Sequence, residues 1–147
     1  MLEPVGVESS PLLRSLWLRV GAPHAWTERA GWSDGDWAGE LGRPAIRAWV
    51  ARVDGDAAGF TELELEPGGD VGILFFGLVP EYVGRGFGGD FLTQVVRLAW
   101  EIERPDGTGP GRVWLQTSSR DHPHALPNYE ARGFRVFLVE RRPLPGA

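Results

Sequence analysis

Leu78-Val79-Pro80-Glu81-Tyr82-Val83-Gly84-Arg85-Gly86-Phe87-Gly88-Gly89-Asp90-Phe91-Leu92 is the stretch on which the fold turns. Before it, residues 71–79 form a nearly continuous apolar run, the pattern of a strand covered on both faces. After it, residues 90–102 carry an apolar stripe of Phe91, Val95, Leu98 and Ile102, widened by Leu92 and Ala99, while Asp90, Gln94, Arg97 and Glu101 lie opposite. That spacing predicts an amphipathic helix. Glycines in the bend between them turn tightly and leave successive N–H groups exposed. The first turn of the helix adds unsatisfied donors and a partial positive charge of roughly +0.5 e. Strand, glycine bend and helix N-terminus in that order point to a phosphate or pyrophosphate site, with a structural turn as the alternative.

Upstream, Ser9-Ser10-Pro11 opens a helix, with serine able to cap it and proline suited to its first position. Leu12, Leu13, Leu16, Trp17 and Val20 keep helical spacing, and Gly21 stops it. Ser33-Asp34 starts a second short helix that runs through Trp37 to about Leu41. Residues 45–53 and 57–65 read as strands joined by the hairpin signal Asp54-Gly55. In the second strand Thr61, Leu63 and Leu65 face one way, and Phe60, Glu62, Glu64 and Glu66 the other. Residues 2–8 are a weaker strand candidate.

Downstream, residues 112–117 form a strand and residues 124–132 a short helix ended by Gly133. Residues 134–140 form a last strand. This order implies a mixed sheet in an α/β or α+β domain. The 147 residues fit one domain with a sizeable core. Within it, residues 1–44 are an N-terminal helical region and residues 45–147 the core that contains the glycine bend.

Composition narrows the function. Hydrophobic residues make up 42% and charged residues 24%, which is globular rather than disordered. A net charge of −5 does not invite nucleic acid or an anionic membrane, and it suits a cationic acceptor. No cysteine is present, which excludes disulfides, thiolate metal sites and a cysteine nucleophile. The N-terminus lacks the layout of a signal peptide, and no apolar run reaches membrane-spanning length, so a cytoplasmic protein is expected.

Gly84, Gly86 and Gly89 also satisfy a dinucleotide-binding pattern. A nicotinamide-binding fold places that loop directly after its strand, whereas Pro80-Glu81-Tyr82 intervenes here and the unit lies mid-chain. The longer stretch from Leu78 to Leu92 instead resembles the acetyl-CoA loop of the Gcn5-related N-acetyltransferase (GNAT) family. Ala125-Leu126-Pro127-Asn128-Tyr129-Glu130-Ala131-Arg132-Gly133-Phe134 resembles that family's second motif, a short helix carrying a tyrosine and closing in Gly-Phe. The two occur in the right order at the right separation.

The resemblance implies a mostly antiparallel central sheet with a V-shaped split between strands ending at Val79 and Thr117. It implies acetyl-CoA as donor and no metal. The pantetheine arm is expected along Leu78 and Val79, and the pyrophosphate on Val83, Gly84, Arg85, Gly86, Phe87, Gly88 and Gly89. Val83 stands where the family usually has arginine or glutamine, so one side-chain contact is missing. Asn128 either bonds the pantetheine arm or caps a turn. Tyr129 matches the tyrosine near the thioester sulfur and is the candidate general acid. Glu62 and Glu64 are candidate bases, with ordered water as the alternative.

Trp26, Trp32 and Trp37 lie in the part that forms the acceptor wall and can present ring faces to a cation or serve as core. Thr117 borders the same opening. His122 and His124 lack a third ligand, and Ser118, Ser119, Asp121 and His122 lack a nucleophile elbow, so neither group is assigned chemistry. The expected activity is acetyl transfer to a primary amine of a small molecule or peptide, with a catalytically inactive acyl-CoA-binding protein as the alternative. A homodimer that covers an open sheet edge is the expected assembly.

Overall fold

Asp54 and Gly55 both adopt positive φ, 51° and 85°, and so form the two-residue turn whose twist matches paired strands. In this computed structural model, which describes residues 1–102, 107, 109–116 and 125–135, that turn joins β2 (Ile46–Val53) to β3 (Asp56–Leu65) at the centre of the sheet. β1 (Leu2–Val5) pairs antiparallel with β2, and β4 (Val71–Leu78) antiparallel with β3. β5 (Val113–Leu115) pairs parallel with β4, giving the order β1-β2-β3-β4-β5.

Helices cover both faces. α1 (Ser10–Gly21) and α2 (Asp34–Leu41) bury Leu13, Leu16, Trp17, Val20, Trp37 and Leu41 against Ile46, Val50 and Phe60. α3 (Phe87–Glu101) buries Phe91, Val95 and Ala99 on the other face against Leu63, Val71, Ile73 and Val113. The period-two pattern of β3 therefore holds, with Phe60 toward α1 and α2 and Leu63 toward α3. α4 (Ala125–Ala131) follows the last described strand.

Local chemistry explains most boundaries. α2 starts in a capping box: Ser33 Oγ accepts from the Asp36 amide at 3.1 Å, and Asp36 accepts from the Ser33 amide at 2.9 Å. At α1 the expected serine cap is absent. Ser9 makes no side-chain cap bond, and Ser10 instead donates its hydroxyl to the Val7 carbonyl at 2.6 Å. α3 begins at Phe87, three residues before the position read from its stripe, because Gly86 at φ 87° ends the bend directly before it. The candidate strand near the N-terminus is realised as β1, so one edge of the sheet is extended. Thr117 and almost all of the expected strand over residues 134–140 lie outside the described residues.

The site is positioned by two irregularities of β4. Glu62 pairs with Phe75 but Leu63 pairs with Ile73, so Leu74 is an extra residue and β4 bulges there. The β4–β5 ladder ends nearby, with Ile73↔Leu115 as its last pair. On the side away from β3, no strand among the described residues continues beside residues 74–78, and β4 goes from buried to half-buried over that length rather than staying covered on both faces.

Candidate active site

The free length of β4 leads into the glycine bend. Val79 is fully buried and donates its amide to Ala58 O at 2.8 Å, so its N–H is already used toward β3. This corrects the expectation that Val79 bonds an added strand. By the alternation of a strand, Leu78 and Phe76 are the residues whose backbone groups turn to the open edge. A 3-10 turn, Pro80–Tyr82, then carries the chain to Val83, which is 41% exposed and offers no side-chain donor.

Gly84 (φ 78°) and Gly86 (φ 87°) both occupy the left-handed region that side-chain-bearing residues avoid. A Cβ at Gly84, Gly86 or Gly88 would meet nothing within 4 Å, so the bend is open on its outer side. Gly86 caps α3 without any side-chain bond, and the first amides of that helix have no carbonyl one turn back to receive them. Arg85 is folded back: its Nη1 donates to the Glu81 carbonyl at 3.4 Å, and its guanidinium lies 5.0 Å from the Tyr82 ring and 5.4 Å from the Phe87 ring.

Tyr129 is 9% exposed on α4, with its ring 6.3 Å from Phe76 and 6.1 Å from Phe134. Phe76 in turn packs on Phe91 of α3 at 4.6 Å. Arg132 ties the same region down by donating Nε to Gly89 O at 3.2 Å and to Thr93 Oγ1 at 2.9 Å. The tyrosine of the second motif therefore stands beside the unpaired part of β4 and is braced against the first turn of α3. The side chain of Asn128 lies outside the described residues.

The opposite face of β4 holds a buried ionic cluster. Phe75, adjacent to Phe76 in sequence, turns toward α1 and α2 and packs on Trp17 and Trp26 at 5.7 and 5.3 Å. Arg29, from the segment between α1 and α2, places its guanidinium 4.3 Å from Trp32, 4.6 Å from Phe75 and 4.8 Å from Trp37. Its Nη1 and Nη2 donate to Glu62 Oε1 and Oε2 at 2.6 and 2.9 Å, and Nη2 also reaches Glu40 Oε2 at 2.8 Å. The aromatic cage expected for an acceptor cation is thus filled by the chain's own arginine. Trp32 and Trp37 form its walls, Trp26 stands one ring away, and Trp37 is fully buried core.

Glu62 is completely buried, not part of a solvated strand face. Burial pushes its carboxyl up to about 7, the Arg29 bonds oppose that rise, and the Glu40 charge adds to it. Glu40 is held below the usual carboxylate range: burial opposes this, but bonds from Glu62 and Arg43 and the Arg29 charge prevail. Glu64 lies on the same side of β3, retains 27% side-chain exposure and pairs with Arg43 at 2.6 Å. Glu62 is brought together with Trp32 and Trp37 through Arg29, and Glu64 joins the same side through Arg43 and Glu40, whereas Tyr129 packs with Phe76 and Phe134 on the other side of β4. Sequence reasoning missed Arg29 and Glu40. The signal for Arg29 was its place three residues from both Trp26 and Trp32. Among the described residues no group of three His, Cys, Asp or Glu is placed to hold a metal ion, and no helix is long and apolar enough to cross a membrane.

Solved structures share this architecture at low identity. An aminoglycoside acetyltransferase, meta-AAC0020, from an uncultured soil metagenomic sample superposes with TM-score 0.74 at 14% identity, covering 98% of this chain and 95% of that one. The ribosomal-protein-alanine N-acetyltransferase of Brucella melitensis biovar Abortus 2308 gives 0.67 at 15% identity, with 98% of each chain covered. The aminoglycoside N-acetyltransferase AAC(6')-Iy in complex with CoA gives 0.61 at 18%, covering 97% of this chain and 94% of that one. No curated protein matches the chain in sequence. The sequence pattern of the acetyltransferase (GNAT) family matches residues 13–134, which span both the glycine bend and the Tyr129 helix. This chain belongs to the acetyltransferase (GNAT) family.

Proposed function

We propose that the chain transfers an acetyl group from acetyl-CoA directly to a primary amine on a small molecule or peptide. One observation carries the reading: among the described residues β4 has no β5 partner after Ile73, and it runs from there into a left-handed glycine bend at the mouth of α3. An open edge fits an amide-bearing arm as an added strand, and the bend with its helix terminus fits a pyrophosphate. The CoA complex of AAC(6')-Iy supports a CoA donor, and the aminoglycoside and ribosomal-protein-alanine enzymes support an amine acceptor.

The residues divide the work by chemistry. Phe76 and Leu78 offer backbone groups to the arm, while Gly84, Arg85, Gly86, Phe87, Gly88 and Gly89 offer amides to the pyrophosphate. Acetyl-CoA, when bound, supplies the activated thioester. The Tyr129 phenol is the group that donates a proton to the departing sulfur. The amine's proton passes to Glu64, to water, or to Glu62 once the oxygens of Glu62 are released from Arg29. Trp26 and Trp32 line the acceptor side.

The full pairing of Glu62 with Arg29 favours one second reading, a catalytically silent acyl-CoA-binding protein. Thiol release from acetyl-CoA across a library of cationic and neutral primary amines separates the two. Acceptor-dependent release supports the enzyme, and its absence with every amine, in protein that binds CoA, supports the binder.

A further inference from the structure

The cluster around Arg29 is built like a ligand site. A planar cation lies among three ring faces at 4.3–4.8 Å while its two terminal nitrogens meet two carboxylates at 2.6–2.9 Å. Rings and carboxylates together are the chemistry that recognises guanidinium and ammonium groups. The occupant arrives on a light support. Thr27, Glu28, Ala30 and Gly31 are exposed, and Arg29 alone in that turn is buried. The turn is closed by two backbone bonds, Ala30 N to Thr27 O at 3.2 Å and Trp32 N to Arg29 O at 3.0 Å, and belongs to no helix or strand. The grip on Arg29 is therefore mostly a side-chain grip. Withdrawing Arg29 would leave Glu62, a completely buried carboxyl, beside the ring faces of Trp37 and Phe75, a setting that takes up either a proton or a replacement cation.

We propose that Arg29 is an internal occupant of the acceptor's cation site, and that a guanidinium or primary ammonium group of the acceptor enters the cage of Trp32, Trp37, Phe75, Glu62 and Glu40 by displacing it. This rests on the acetyltransferase reading for the identity of the incoming molecule as the acceptor, but the cage itself does not depend on that reading. The location supports it: Phe75 pairs with Glu62 across β3 and β4 and adjoins the Leu74 bulge where β4 parts from β5. An acceptor held there lies next to the strand edge assigned to the donor. Arg29 thus makes the resting protein select against weak cations, because any entrant must outbid a tethered guanidinium held by both carboxylates. Acceptor entry also changes the partner of Glu62 from a guanidinium, which keeps its protons, to one that can give a proton up when it is a primary ammonium.

The test uses the full chain with Arg29→Ala, titrated with guanidinium chloride in the low millimolar range against sodium chloride at equal ionic strength, reading tryptophan fluorescence and thermal midpoint. The expected result is saturable guanidinium binding at least tenfold tighter than to the wild type, abolished when Glu62→Gln is added. A folded Arg29→Ala protein that shows no response beyond the sodium chloride control overturns the proposal, as does wild-type binding of equal strength. Where Arg29→Ala does not fold, Arg29→Lys carries the test: its ammonium lacks the planar fork that bonds both Glu62 oxygens while stacked among the rings, so a smaller gain is expected and no gain overturns the proposal. Calorimetry with acetyl-CoA on the same proteins keeps the readings apart. Loss of CoA binding with the guanidinium gain intact sinks the acetyltransferase assignment and leaves the cage standing.

Discussion

Arg29 holds both oxygens of Glu62, Nη1 to Oε1 at 2.6 Å and Nη2 to Oε2 at 2.9 Å, across 33 residues of sequence. A bidentate pair of this kind, fully enclosed, is a strained electrostatic compromise. Burial opposes the charge on Glu62 more than Arg29 supports it, and Glu40 adds a second negative charge nearby.

That balance fixes a pH dependence. The Glu62 carboxyl rises on folding from 4.5 to about 7, so the folded chain holds a proton that the unfolded chain has released. The resulting stability is complete below about pH 4.5 and is lost as pH climbs through 7. Glu40, lowered on folding, contributes the opposite slope, which falls mainly at and below its ordinary value of 4.5. Urea unfolding at pH 5 and pH 8 should show the wild type losing on the order of 2–3 kcal/mol that Glu62→Gln does not lose. Equal pH slopes in the two proteins would remove Glu62 from this role.

Gly77 marks where α1 meets the sheet. A Cβ there would overlap Val20 Cγ1, so Gly77→Ala forces the helix from β4 and should cost about 1–3 kcal/mol. Val20→Ala removes the obstructing methyls. Urea midpoints of the two single variants and the double should be non-additive by roughly 1 kcal/mol, with the double more stable than the sum predicts. Additive losses would mean the close approach is relieved some other way.

Gly86 separates folding from function. Its φ of 87° is costly for alanine, yet open space surrounds it. Gly86→Ala should therefore lower stability by about 1 kcal/mol while weakening acetyl-CoA binding about tenfold or more, because the bend loses the shape that aims its amides. Unchanged affinity with reduced stability would show the bend to be a structural turn.

Tyr129→Phe keeps the ring that packs on Phe76 and Phe134 and deletes only the hydroxyl. Turnover on a working acceptor should fall about 10²-fold or more, with acetyl-CoA affinity nearly unchanged. A variant that keeps its turnover shows that the phenol is not the acid.

Local rules made much of this fold legible. The Asp54-Gly55 turn, the helix start at Ser33 and the stripe from Phe91 to Ala99 are decided by neighbours in sequence, and each is realised, with α3 beginning three residues earlier than its stripe indicated. The Leu74 bulge and the early end of the β4–β5 ladder were not legible, since both depend on which residues of distant strands fall opposite one another. Glu62 is the sharpest case. Period two put it correctly on the side of α1 and α2, but whether a carboxylate on that face meets solvent or an arginine depends on a turn 33 residues away. The residues that carry over from the family's two motifs were legible as a glycine bend before α3 and a short helix carrying Tyr129. The Arg29 cage joins a turn, a helix and two strands that are far apart in sequence, and no local pattern shows which of them meet.

The most direct measurement is isothermal titration of the wild-type chain with acetyl-CoA. Saturable one-to-one binding at roughly micromolar strength, weakened by Gly86→Ala, is the result the assignment requires. Protein that is folded yet takes up no acetyl-CoA at millimolar concentration would contradict it.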